Sequence, residues 1–210
     1  MTLCVYALTT RARGALRLRG LDGELLRIVT LGRVSAVIGE LRRVPAITHD
    51  HLTRYDASMR SLSDRYAAML PVRFATCVEL DELQVILRDR QQSLSRALRH
   101  VRGRAQMTVR IVAPDGRSRV RGGRPLTGTD YLRRRATEAA IPAFDPIRDA
   151  VRRWVRDERI EKRDRIATVY HLIPRGAAEA YRRAAIGRAD DVGLPATITG
   201  PFPPYAFADW

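Results

Sequence analysis

Lysine is almost missing from this chain: Lys162 is the only one among 38 basic residues, and the rest are arginine. Cysteine is equally scarce. Cys4 and Cys77 are the only two, which excludes a disulfide framework and makes reduced, cytosolic thiols the expectation. Both fall in β-like runs, where they read as buried small hydrophobes and as neighbours in one sheet. No stretch approaches 18 apolar residues, so no membrane-spanning helix is expected. The short apolar run at residues 3–8 lacks the basic flank and small-residue cleavage site of a signal peptide and reads as a first strand. Acidic residues are outnumbered 23 to 38, for a net charge of +15 and a pI near 11.1. That excess favours acidic partners without saying which.

The signatures of catalysis are also absent. There is no phosphate-binding glycine loop, no dinucleotide fingerprint after the first strand and no nucleophile elbow. Of four histidines, only His49-Asp50-His51 forms a cluster. Helical positions two apart point roughly 200° from each other and cannot share an ion, so these read as solvated residues at a helix start. His171 reads as a satisfied core or edge histidine. Glu79, Asp81 and Glu82 sit where a helix begins, which the helix dipole explains without chemistry. No catalytic, cofactor or metal site is therefore expected, and the chain is not read as an enzyme.

What is present is enough apolar content, 45%, for real cores in one large or two small domains. Strands are expected at residues 3–8, 25–31 and 34–38, the last two joined by a tight turn at Gly32-Arg33. Thr48 is an N-cap for a helix to about residue 68, with Leu52, Tyr55, Met59, Leu62 and Tyr66 on one face. A strand at 70–78, a long amphipathic helix over 83–101 and a strand at 107–113 follow. The fold class is α+β with two domains. Residues 1–114 read as a ferredoxin-like antiparallel sheet with helices on one face. Residues 115–127 are a basic Gly/Pro linker; its Arg121-Gly-Gly-Arg124 is a single copy in a solvated loop. Residues 128–210 form a smaller α+β domain with long helices: a helix at 130–140, an apolar helical face at Ile147, Val151, Trp154 and Val155, a strand at 166–173, a helix at 177–186 and a strand at 194–199.

The chain closes on Thr-Gly-Pro-Phe-Pro-Pro-Tyr-Ala-Phe, residues 199–207, with Trp210 last. Pro201, Pro203 and Pro204 stiffen this segment, which must be extended or turned and not helical. Gly200 marks where a strand breaks into it. The rings of Phe202, Tyr205, Phe207 and Trp210 make it a latch, counted with residues 128–210, whose rings drop into grooves on the body, since four exposed rings would be a sticky patch.

This ending resembles the Gly-Pro-Trp-Pro-Pro-Tyr-Ser-Phe of the gas vesicle protein F/L family. Leu70-Pro71-Val72-Arg73-Phe74-Ala75-Thr76 resembles that family's Leu-Pro-Val-Arg-Phe-Gly-Thr, and Gly128-Thr-Asp-Tyr131-Leu132 is a weaker third match. Phe202 replaces a Trp, Ala206 a Ser, and Ala75 a Gly, which implies that position 75 needs no positive φ. The resemblance covers essentially the whole chain. It implies a minor vesicle-associated protein of the cytoplasm and gas vesicle, acting in vesicle nucleation or assembly. Its implied partners are the hydrophobic shell protein and other gas vesicle accessory proteins; from the sequence itself no cofactor and no membrane are expected, nucleic acid is not favoured, and oligomeric state stays open. Leu70, Pro71, Arg73, Phe74, Tyr131, Leu132, Gly200, Pro201, Phe202, Pro203, Pro204, Tyr205 and Phe207 are the motif positions, most of them expected to be structural, with binding surfaces elsewhere on the helices. The alternatives are a nucleic-acid-binding module, supported by charge alone, and a small-molecule enzyme on a ferredoxin-like dimer.

Overall fold

The computed structural model describes residues 2–12, 16–112 and 144–208. The chain divides into two compact units, Met1–Gln106 with Pro201–Trp210, and Met107–Gly200. The C-terminal segment thus joins the first unit, not the second as the boundaries drawn from sequence had it. The expected linker at 115–127 and the helix at 130–140 lie outside the described residues.

In the first unit, β1 (Thr2–Thr10) pairs antiparallel with β3 (Val34–Leu41), which pairs with β2 (Arg27–Leu31). Gly32 holds φ at 58° in the tight turn joining β2 and β3. On its other edge β1 pairs with β4 (Met69–Pro71) and β5 (Cys77–Val78). The order β2-β3-β1-β4 is that of a ferredoxin-like sheet, with every pair here antiparallel. Cys4 and Cys77 face each other in this ladder, with Cα atoms 4.0 Å apart, and are joined by a disulfide. The expectation of free thiols is corrected: direct cross-strand pairing brings the sulfurs within bonding reach. A cross-link over 73 residues removes unfolded-chain entropy amounting to about 4 kcal/mol.

Helix α1 (His49–Arg65) begins where Thr48 caps it, the hydroxyl accepting from His51 N–H at 3.2 Å. Its Tyr55, Met59 and Leu62 bury against Cys4, Tyr6, Val37 and Leu41. The long helix expected over 83–101 is two, α2 (Leu80–Asp89) and α3 (Gln91–Val101), parted at Arg90, whose ψ of 11° leaves the helical range. α3 packs on β1, β3 and β4. Residues 4–9 of β1 and 34–39 of β3 are buried without alternation, so both faces of these central strands are covered.

The second sheet runs β7-β8-β6-β9, from β6 (Arg104–Val112), β7 (Asp157–Arg163), β8 (Ile166–Pro174) and β9 (Ala196–Phe202). α4 (Asp145–Val151) packs on α5 (Ala178–Asp191), and Met107, Val109, Ile111, Phe144, Val151 and Tyr181 form the core. Strand β7 escaped the sequence reading because Asp-Glu-Arg-Ile-Glu-Lys-Arg has no apolar alternation; it is half-buried at best and held by its ladder to β8.

Candidate functional site

Two motif segments more than a hundred residues apart in sequence meet in the first unit. The first is the 70–76 run, expected to be one strand. Ala7 pairs with Pro71 and Cys4 with Cys77, while Val72 N–H donates to the Tyr6 carbonyl and Val5 N–H to the Thr76 carbonyl, both at 2.9 Å. Only residues 73–75 leave the sheet edge. Thr76 N–H closes them into a turn by donating to the Arg73 carbonyl at 3.2 Å. Ala75, third in that turn, has φ 60°, the left-handed conformation that a type II turn demands and that glycine meets most cheaply. The expectation that position 75 needs no positive φ is corrected. Both ends of the turn are pinned to β1, so the backbone takes this conformation even with a Cβ present.

The turn presents Arg73 and Phe74. Phe74 stands edge-on to Tyr55, centroids 5.4 Å apart at 90°, and Tyr55 stacks on Tyr6 at 5.6 Å. A register shift between Val5 and Ala7 marks a bulge that turns Tyr6 toward this ladder. The Tyr55 hydroxyl donates to the Val72 carbonyl. That of Tyr6 donates to the Glu24 carboxylate and accepts from Leu21 N–H at 3.0 Å. Burial raises both phenols well above their ordinary range, so they stay neutral donors.

The second segment is the C-terminal one. Gly200 does not break the strand: β9 runs on through it to Phe202, the glycine absorbing a bend at φ 117°. Pro203 and Pro204 are buried, and a single 3-10 turn follows at Tyr205–Phe207, where no helix was expected. Proline fits at the head of such a turn because no donor is needed there. Phe207 N–H donates to the Pro204 carbonyl at 3.1 Å, and Ala206 N–H donates to the side-chain oxygen of buried Gln106 at 2.8 Å. The turn packs on β4. Its rings divide: Phe207 is 2% exposed, Tyr205 39%.

Between the two segments lies an open cleft of about 750 Å³ lined by Leu52, Tyr55, Pro71, Val72, Arg73, Phe74, Thr76, Tyr205 and Ala208. Burial, and then the nearby Asp56 charge, push the Tyr205 hydroxyl up to about 12. Asp56 is already paired with Arg60 at 2.8 Å. Such a lining grips apolar side chains; among its described residues there is no acid and no histidine. Of the motif residues, Leu70 and Pro71 are core, Arg73, Phe74 and Tyr205 face the cleft, Pro201 is exposed and Phe202 half-buried, while Tyr131 and Leu132 lie outside the described residues. Sequence reasoning missed Gln106, which alternation alone marks only as a strand position. It placed Leu52 on a helix face but had no means to aim it at residues 73 and 205.

In the second unit, His171 is fully buried between the Phe144 and Tyr181 rings. Its Nε2 lies 2.7 Å from the Glu158 carboxylate and its Nδ1 2.6 Å from the Tyr181 hydroxyl. Arg148 also donates to Glu158, at 3.1 Å. The His171 bond above all, with Arg148, depresses the Glu158 carboxyl to about 2. Both ring nitrogens have a partner, which makes His171 a satisfied core histidine. His51 is likewise engaged, with Ala46 and Asp22. Among the described residues no three His, Cys, Asp or Glu side chains are grouped to hold a metal, and no helix is long and apolar enough to cross a membrane.

The sequence matches the family described as gas vesicle synthesis protein GvpL/GvpF over residues 3–209. No curated protein matches it. Among solved structures the fold is similar to gas vesicle protein GvpF from Anabaena sp. PCC7120, at a TM-score of 0.76 and 14% identity, covering 100% of this chain and 98% of that one. It is similar also to GvpF from Microcystis aeruginosa, at a TM-score of 0.77 and 14% identity, covering 100% and 99%. At that identity the structures speak for the fold alone, and the family match carries the rest: the chain belongs to the GvpL/GvpF family of gas vesicle synthesis proteins.

Proposed function

We propose that this protein is an accessory factor of gas vesicle nucleation and assembly, working at the vesicle and in the cytoplasm. It binds the small hydrophobic shell protein, in concert with other accessory proteins, and holds it from aggregation until it is incorporated. The observation that carries this reading is the convergence of residues 70–76 and 201–208 on one apolar cleft, with Tyr205 left 39% exposed at its rim. A half-exposed aromatic over a preformed apolar trough fits capture of an apolar segment. This moves the proposed binding surface from the helices alone to the motif segments themselves. The role is non-catalytic.

The test is complementation. In cells that carry a gas vesicle gene set lacking this chain, the parent sequence restores vesicles by electron microscopy. Tyr205→Ala, present at parental protein level, leaves few or none. Normal vesicle number and size without the chain at all would contradict a role in assembly.

A further inference from the structure

The cleft carries charge information as well as shape. Among the described residues, Arg73 is the one charged member of its lining, is exposed, and makes no ion pair. The acid beside Tyr205, Asp56, is occupied by Arg60 at 2.8 Å. Arg73 is also held in place: the turn that bears it is closed by the Thr76 N–H and anchored to β1 through Val72 and Val5. The left-handed Ala75 shows the backbone accepting a cost there to keep that turn. An arginine preset beside aromatic rings is matched by a carboxylate, which its planar fork engages with two parallel hydrogen bonds, strengthened where apolar walls exclude water.

Resting on the cleft reading above, we infer that Arg73 is the specificity determinant of the cleft. Its occupant is a protein segment in which an apolar side chain, seated among Tyr55, Phe74 and Tyr205, is followed within a turn or so by an Asp or Glu that pairs with Arg73. A single arginine among apolar walls does not suit a nucleic-acid backbone, whose capture needs a row of cations.

The experiment measures retention of co-expressed gas vesicle shell protein by the tagged full chain, for the parent, Arg73→Gln, Arg73→Glu and Tyr205→Ala. Each variant is first shown to melt with the parent. Retention is expected to fall about tenfold for Arg73→Gln and further for Arg73→Glu. Exchanging one acidic residue of the shell protein for Arg is expected to restore binding to Arg73→Glu and to no other variant. If Tyr205→Ala abolishes retention while both Arg73 variants bind like the parent, the cleft reading stands and the carboxylate inference is overturned. If no variant differs from the parent, both are overturned. Loss of bound single-stranded DNA, rather than of shell protein, in Arg73→Glu would assign the arginine to nucleic acid and overturn the inference too.

Discussion

Ala75 sits at φ 60° where its family resemblance has glycine, and this places a measurable cost on one residue. A Cβ in that region costs about 1–2 kcal/mol, while glycine returns about 0.5–1 kcal/mol through the freedom it gives the unfolded chain. Ala75→Gly is therefore expected to stabilise the protein by up to about 1.5 kcal/mol in urea unfolding; a lower midpoint would mean the turn takes another conformation. Glu158 gives the corresponding acid-side expectation. Its folded carboxyl titrates at about 2, below the ordinary 4.5. The stability it contributes is fully present above pH 4.5 and is lost as pH falls through about 2. The loss is at most about 3 kcal/mol for a shift of that size. Glu158→Gln is expected to lower stability at pH 7 and to flatten its decline between pH 5 and 2. A parallel decline in both proteins would put the acid sensitivity elsewhere. Nothing in the sequence spacing of 158, 171 and 181 announced this cluster; it is assembled by the ladder that sets Glu158 against His171 and by the helix that lays Tyr181 over them.

At the scale of elements, the sequence carried most of what local chemistry decides. The Thr48 cap, the Gly32-Arg33 hairpin and the apolar face of α1 all follow from side-chain type and period. Elements specified by partners were not legible in the same way. β7 is a strand because β8 pairs with it. The 70–78 run divides because its two ends pair with β1 while its middle does not. The latch shows both sides of this. That a ring such as Phe207 docks follows from composition; where it docks depends on Gln106 and β4, which only the fold brings to it. Phe207→Ala is accordingly expected to cost about 3–5 kcal/mol. Amide exchange should rise in β1 and β4 and stay at parental levels in β7 and β8. Loss of protection first in β7 and β8 would return the latch to the second unit.

At the scale of the molecule, the apolar cleft belongs to the first unit, and both the 70–76 and the C-terminal motif segments contribute to its lining. Phe207 is buried and Tyr205, two residues away, is half-exposed; on the proposed reading the first holds the segment and the second binds. The decisive measurement is co-purification of gas vesicle shell protein with Tyr205→Ala, read beside that variant's melting temperature. The cleft as shell-protein site predicts a variant melting within about 2 °C of the parent, yet retaining no shell protein. A variant that melts like the parent and still retains shell protein at the parental level would contradict it.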